Sequence, residues 1–503
     1  MTFDFVVPPQ VTFTLQTLSK AGWQAFIVGG AVRDLLLKKE TSDWDFTTNA
    51  KPEEILQLFP EAFYENQFGT VMITHEDLCK QANIKTENRM LNVENGRKKR
   101  IIDLARAKKV HESLPTESLE IRNLELRITN YEITTFRSES AYSDFRRPDK
   151  VEWGQSIEED LERRDFTVNA LALQMVNDKW QLIDLHGGYE DLQNNILRTV
   201  GDANLRFQED ALRMLRAIRF CVQLNMQLEE KTLAAIIKNK DLISKISWER
   251  IGAELAKILA SNYPAEGIEL LDETALLSQL LPEILAGKGV KQGGHHTTDV
   301  WTHSLDALRE CPSHDPVVRL ATLLHDVSKP QTQGQKSSDI RRTADITFYN
   351  HEIVGARIAS KVARRLRLSK KDTQRVFLLV RYHMFYYQPF MTDAAVRRFM
   401  RQVGLENVDD ILDLREGDRL GSGARKTSWR LEEFKSRMIE QLNQPMEVKD
   451  LQINGHDLMT EFNLKPGPIL REILLWLLEK ILDKPELNNK ADLLKLVKEY
   501  VQK

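Results

Sequence analysis

"FIVGGAVRDLLLKKETSDWDF", residues 26–46, carries an apolar run into a glycine pair and ends with two aspartates two residues apart. The run up to Val28 reads as a strand, Gly29 and Gly30 as its turn, "AVRDLLLK" as a short helix and "DWDFTT" as a second strand. Glycines after a strand let backbone approach a ligand without a Cβ in the way, and successive amides at such a turn can cradle phosphate. Residues two apart in a strand face the same way, so Asp43 and Asp45 can address one metal-sized volume. Mg2+ prefers hard oxygen ligands and often combines one or two carboxylates with substrate phosphates. Without an ion, neighbouring carboxylates repel and one holds its proton more tightly.

Working outward, residues 10–20 read as an amphipathic helix and "KPEEILQLF" as a helix opened by proline. "GTVMIT", "LRITNYEITTFR" and "WQLIDLHGGYEDL" supply further strands, the last followed by a turn. This alternation predicts a head with a mixed sheet. A polar stretch over 79–127, containing "GRKKR" and "RAKK", reads as an insertion, either a surface hairpin or a basic arm touching RNA. From about residue 200 the pattern is almost entirely helical, with amphipathic helices over 205–260, a histidine-rich region over 290–420 and a break at "NLKPGPIL" before the last helices.

At 503 residues the chain exceeds one ordinary core. Hydrophobic residues make up 42% and charged ones 29%, which excludes a disordered chain, and the net charge of -3 confines any nucleic-acid surface to a local patch. Cys79, Cys221 and Cys311 are far apart and form no zinc spacing, which suits a reducing compartment. The N-terminus lacks the basic, apolar and small-residue zones of a secretion signal, so a cytoplasmic location is expected. The apolar stretch 469–482 is broken by Arg471, Glu472, Glu479 and Lys480, too short and too charged to span a bilayer.

Gly29, Gly30, Arg33 and Asp34 followed by Asp43 and Asp45 resemble the first signature of the nucleotidyltransferase superfamily, in its tRNA nucleotidyltransferase and poly(A) polymerase branch. "RRDFTVNA" (163–170) is similar to the branch's ribonucleotide-binding motif, "DLHGGYEDL" (184–192) to its hinge-side motif, and "EDALRMLRAIRF" (209–220) to the nucleobase-reading helix of class II, bacterial-type enzymes. The resemblance implies an α+β fold: a polymerase beta-like head over 1–200, a helical neck over 201–270, an HD-like helical body over 271–425 and a tRNA-binding helical tail over 426–503. It implies addition of cytidine, cytidine and adenosine to the 3′ end of tRNA from CTP and ATP, without a nucleic-acid template and without a membrane partner. A-adding and poly(A)-adding enzymes, a dominant phosphohydrolase and a silent tRNA-binding protein are the alternatives.

On this resemblance Asp43 and Asp45 hold Mg2+, and Glu132 is a third acidic contributor to catalysis. Arg33 supplies charge or pairs with Asp34. Asp165 and Asn169, four apart, would share a helix face and hold ribose hydroxyls, with Arg163 or Arg164 near phosphate and Phe166 in the core. Asp210 and Arg213, three apart, would present an acceptor beside donors to the Watson–Crick edge, with Glu209 orienting them and Arg216 extending the basic ridge. In "SWERIGAEL", Arg250 and Glu254 are expected to form an intrahelical ion pair. "RSESAYSDFRRPDKVEW" (137–153) resembles the loop that accompanies adenosine addition in complete enzymes.

A second constellation, His303, His325 with Asp326, and Asp418, resembles the ligands of the HD phosphohydrolase superfamily, and His351 and His383 would widen it to two metals. Mn2+, Ni2+, Fe2+ or Mg2+ are the ions such ligands would take. His295 and His296 would cap or line its entrance, and Lys361, Arg364, Arg365, Arg367, Lys370 and Lys371 are candidates for contact with tRNA phosphates.

Overall fold

The computed structural model describes residues 1–41, 43–64, 69–84, 130–140, 150–154, 156–177, 179–293, 298–335 and 346–502. The proposed insertion beyond residue 84, the tip of the 137–153 loop, and His295 and His296 lie outside the described residues. The chain separates into two compact units, one reaching to Pro282 and one running from Glu283.

The first unit is built on an eight-stranded sheet. Its strands are β1 (Thr2–Phe3), β2 (Ala25–Val28), β3 (Trp44–Thr48), β4 (Phe63–Tyr64), β5 (Thr70–Thr74), β6 (Asn130–Thr135), β9 (Leu171–Val176) and β10 (Lys179–Asp184). A separate ribbon pairs β7 (Arg137–Ser140) with β8 (Lys150–Trp153). The order is β1-β10-β9-β2-β3-β6-β5-β4, antiparallel except where β3 runs parallel to β6. All four residues of β2 are buried, which is why "AFIV" reads as an unbroken apolar run. Phe26, Val28, Phe136, Ile157, Leu161 and Ala172 form one packed cluster against this sheet.

The glycine pair of the "DLHGGYEDL" segment has two separate jobs. Gly187 sits at φ +74 with open space around it, whereas a Cβ on Gly188 would lie 2.1 Å from the carbonyl oxygen of Thr167. Asp184 holds the turn by accepting from the amides of Gly188 and Tyr189, each at 2.9 Å. Beyond the sheet, the unit continues through helices Ala203–Glu209, Leu212–Leu224, Glu230–Asn239, Trp248–Leu259, Pro264–Glu273 and Leu277–Leu280.

The second unit is helical apart from a small hairpin. Helices Val300–Glu310 and Val408–Gly421 approach closely because Gly417 and Gly421, one turn apart, face Ala307; a Cβ on either would lie 2.5 Å from Ala307 backbone. Helices Pro316–Leu324, His351–Arg365 and Lys370–Tyr382 pack around the same centre. Among the described residues no helix is long and apolar enough to cross a membrane.

Three of the secondary-structure expectations differ from the structure. Asp43 falls just before β3 rather than within it. "RRDFTVNA" forms a single 3-10 turn, Thr167–Asn169, not an α-helix, because Phe166 is extended and leads directly into it. "EDALRMLRAIRF" is not one helix: the chain breaks at Asp210, which is extended and accepts from the amide of Leu212 at 3.0 Å. Aspartate favours such helix-start positions over interior ones.

Gly188→Ala should cost about 2–3 kcal/mol, because the added methyl meets fixed backbone rather than a movable side chain. Gly187→Ala should cost about 1 kcal/mol, the strain of a left-handed residue. Urea unfolding of the two variants tests this; equal costs would contradict the close-approach assignment.

Candidate functional site

In the first unit, Asp45 lies in register between Val28 on β2 and Glu132 on β6. Residues level on adjacent strands share a face, so the sheet puts the Asp45 and Glu132 side chains side by side. Asp43 is exposed just ahead of the strand. Burial, reinforced by the negative charge of Asp43 and opposed by Arg164, pushes the Asp45 carboxyl up to about 6. The two acids therefore sense each other, and an added cation would relieve their repulsion.

Gly29 sits at φ +72, and a Cβ there would come within 2.9 Å of Arg164 Nη1 and 3.6 Å of Asp45 Oδ2. The glycine thus keeps space open between a guanidinium and a carboxylate. Arg164 and Arg163 are both anchored on the buried Asp160, at 3.1 Å and 3.0 Å. Burial pushes the Asp160 carboxyl up, but the two guanidiniums outweigh it and hold it below the usual range. Sequence reasoning missed Asp160 because it is one of three acids in the first turn of helix Ile157–Glu162.

Arg33 donates to Asp34 at 2.9 Å, the expected pair, and also to Asn169 Oδ1 at 2.7 Å. Asn169 in turn lies 3.4 Å from Asp165 Oδ1, so the two residues meet across the 3-10 turn despite the missing helix. Arg216 donates to Asp165 Oδ2 at 2.7 Å. Its guanidinium lies 5.6 Å from the Phe220 ring centre, with Arg33 at 5.7 Å. Phe166 is fully buried.

Asp210 and Arg213 are close in sequence but held by different partners. Arg250 grips Asp210 with both terminal nitrogens, at 2.6 Å and 3.3 Å, while Arg213 pairs with Glu209. This corrects the expected Arg250–Glu254 pair: Glu254 is taken by Arg219 at 3.3 Å and Lys257 at 3.4 Å. The four-residue spacing of Arg250 and Glu254 mimicked a helix pair, and only the fold brings Arg250 to a residue forty positions earlier.

In the second unit, His303, His325, Asp326, His351, His383 and Asp418 come together, each buried. His325 Nδ1 lies 2.7 Å from the Thr322 carbonyl, His351 Nδ1 2.7 Å from that of Phe348 and His383 Nδ1 2.8 Å from that of Val380. A carbonyl accepts only, so each Nδ1 carries a proton and leaves Nε2 facing the centre. His303 Nε2 and His325 Nε2 lie 3.5 Å and 3.2 Å from Asp326 Oδ2, and 3.3 Å and 3.7 Å from Asp418 Oδ1. His351 Nε2 and His383 Nε2 lie 3.5 Å and 3.7 Å from the other oxygen, Asp326 Oδ1. Burial pushes both carboxyls up, but facing imidazoles together with Lys329 and Arg415 outweigh it and hold them well below the usual range. Of the candidate phosphate-contacting cations, Arg365 is half-buried against Glu283 at 2.7 Å, whereas Lys361, Arg364, Arg367, Lys370 and Lys371 are exposed.

Comparison with known proteins agrees with this layout. A model of the poly(A) polymerase head domain matches residues 25–114 and 104–198. A model described as "Probable RNA and SrmB- binding site of polymerase A" matches 225–287, and one for tRNA nucleotidyltransferase domain 2 matches 348–497. The CCA-adding enzyme of Ligilactobacillus salivarius is 32% identical over 490 residues, 97% of this chain and 95% of that one. That of a Geobacillus species is 39% identical over 267 residues, 53% of each chain, so the chain spans about half the length of some of its curated relatives. The crystal structure of the Bacillus stearothermophilus CCA-adding enzyme in complex with CTP aligns over 99% of this chain and 100% of its own, with a TM-score of 0.63 and 25% identity. The 32% identity to the Ligilactobacillus salivarius enzyme along nearly the whole of both chains establishes that the chain belongs to the CCA-adding enzyme family.

Proposed function

We propose that this chain adds cytidine, cytidine and adenosine to the 3′ end of tRNA, using CTP and ATP and releasing pyrophosphate. The observation that carries this reading is the Asp45 carboxylate and the Arg164 guanidinium flanking the space that Gly29 leaves open, with Asp43 two residues ahead of Asp45. The names of the relatives support the product, and the CTP complex of the Bacillus enzyme supports the substrate class.

The family implies a divalent metal, and hard carboxylate oxygens carrying excess negative charge suit Mg2+. Asp43 and Asp45 would hold it, where it would help activate the primer 3′-hydroxyl and neutralise phosphate charge. The rest falls to the chain's own groups. Gly29 and Gly30 let backbone meet the triphosphate, and Arg163 and Arg164, aligned by Asp160, supply positive charge. Asp165 and Asn169 hold the ribose, braced by Arg216 and Arg33. Asp210 and Arg213 read the base edge, Arg250 and Glu209 fixing their orientation. Glu132 supports the acidic face as the neighbour of Asp45. The head, neck, body and tail divide near residues 200, 270 and 425, and the enzyme works in the cytoplasm, where tRNA ends are maintained.

A second reading applies to the other unit: a metal-dependent phosphohydrolase. Among the described residues His351 Nε2 and His383 Nε2 are buried without a hydrogen-bond partner, which fits a centre built to ligate an imidazole-seeking ion such as Mn2+, Ni2+ or Fe2+. His303, His325, Asp326 and Asp418 would hold one ion and His351, His383 and Asp326 a second, supplying an activated water toward a phosphate ester.

Purified protein with Mg2+ and tRNAs lacking CCA, CA or A should extend each to the same mature end, taking CTP and ATP in that order. Addition of adenosine alone, or of long tails, would favour the A-adding or poly(A) alternatives, and no incorporation a binding protein. Asp45→Asn should lower both incorporations by about 10^3-fold. Arg250→Ala should lower kcat/KM by about 10- to 100-fold and blur the choice between CTP and ATP, because Asp210 loses its clamp; unchanged base selection would contradict that role. His325→Ala should abolish hydrolysis of 2′,3′-cyclic phosphates while leaving nucleotide addition intact.

A further inference from the structure

Asp326 presents its two oxygens to different surroundings. Oδ1 faces His351 and His383 at 3.5 Å and 3.7 Å. Oδ2 faces His303 and His325, but is already in contact with a cation: Lys329 Nζ lies 2.5 Å away. The ammonium also donates to Gln292 Oε1 at 2.6 Å and lies 5.5 Å from the Phe348 ring centre. Lys329 is itself 7% exposed and Gln292 6%, so this is an interior arrangement, not a surface ion pair. The other carboxylate of the cluster, Asp418, has its own cation in Arg415, at 2.6 Å. Each of these two carboxylates thus has a cationic side chain of the protein in contact with it.

We propose that Lys329 is a resident cation that competes with metal at one half of this centre, so that the two half-sites fill in order. The inference rests on the reading of the His–Asp cluster as a metal centre. An ion entering beside His351 and His383 meets Asp326 Oδ1, the oxygen opposite the one that Lys329 contacts. An ion entering beside His303 and His325 needs Asp326 Oδ2, and a divalent ion and an ammonium cannot both lie against one oxygen without strong repulsion. Lys329 must then withdraw. Gln292 gives it a place to go, because its amide oxygen satisfies the ammonium without the carboxylate, and its own amide group is tied back to the Asp299 carbonyl at 3.3 Å. The aromatic face of Phe348 offers a second neutral resting contact. Lysine suits this role because it is a compact single charge on a flexible four-carbon stem.

The test is Mn2+ binding to the full chain, with free ion counted by electron paramagnetic resonance and every variant built on Asp45→Asn so that the head contributes equally. With Lys329 intact, two ions should bind in this unit with clearly different affinities. Lys329→Met keeps the stem and removes the charge, and should tighten the weaker ion by on the order of tenfold or more, well beyond any change in the tighter one. Gln292→Leu removes the resting place and should shift the weaker ion the opposite way. Thermal unfolding without metal checks that each variant is folded, and Gln292→Leu keeps the test decisive if Lys329→Met is not. If His325→Ala loses an ion but neither variant moves the weaker affinity, the competition is overturned while the metal centre stands. If His325→Ala loses none, the metal-centre reading fails and the inference falls with it.

Discussion

The placement of the Asp45 carboxylate between Val28 and Glu132 is the constraint around which the head is arranged. Burial, with the charge of Asp43 added, raises its proton affinity, and Gly29 leaves room for Arg164 beside it. Arg164 cannot cancel the charge alone, since Asp160 shares it with Arg163. The head therefore sets a carboxylate and a guanidinium around the space that Gly29 leaves open.

Behind this face, guanidinium–carboxylate pairs form a chain from the sheet to the helices. Arg33 joins Asp34 to Asn169, Arg216 joins Asp165 to the Phe220 ring, and Arg250 joins Asp210 to the helix Trp248–Leu259. Such pairs add little to stability when exposed, but here most are partly buried and geometrically fixed. Their value is orientation: each holds a polar group that would otherwise sample several rotamers. The second unit uses a different device, backbone carbonyls that set the tautomer of three histidines and leave their Nε2 atoms facing two carboxylates.

Much of this was legible in the chain. The strand–glycine–helix–strand course of residues 26–46 follows from apolar runs and glycine chemistry, and the mixed sheet from the alternation around it. The six cluster residues of the second unit were named from sequence and are found together. What failed to show was anything set by tertiary contact. Arg250 looked committed to Glu254 by its spacing, and Asp210 looked helical because its neighbours favour helix, until the fold offered each a better partner. Gln292 and Lys329 carried no periodic signal at all, since their meeting depends on segments thirty-seven residues apart.

The central claim is that Asp43 and Asp45 share one ion beneath a nucleotide's phosphates. Anomalous diffraction from crystals grown with Mn2+ and a non-hydrolysable CTP analogue measures this directly. The account predicts a manganese peak within coordination distance of both carboxylates and of a phosphate oxygen. A nucleotide bound at this face with manganese absent from between the two aspartates, or the two side chains turned to separate sides, would contradict it.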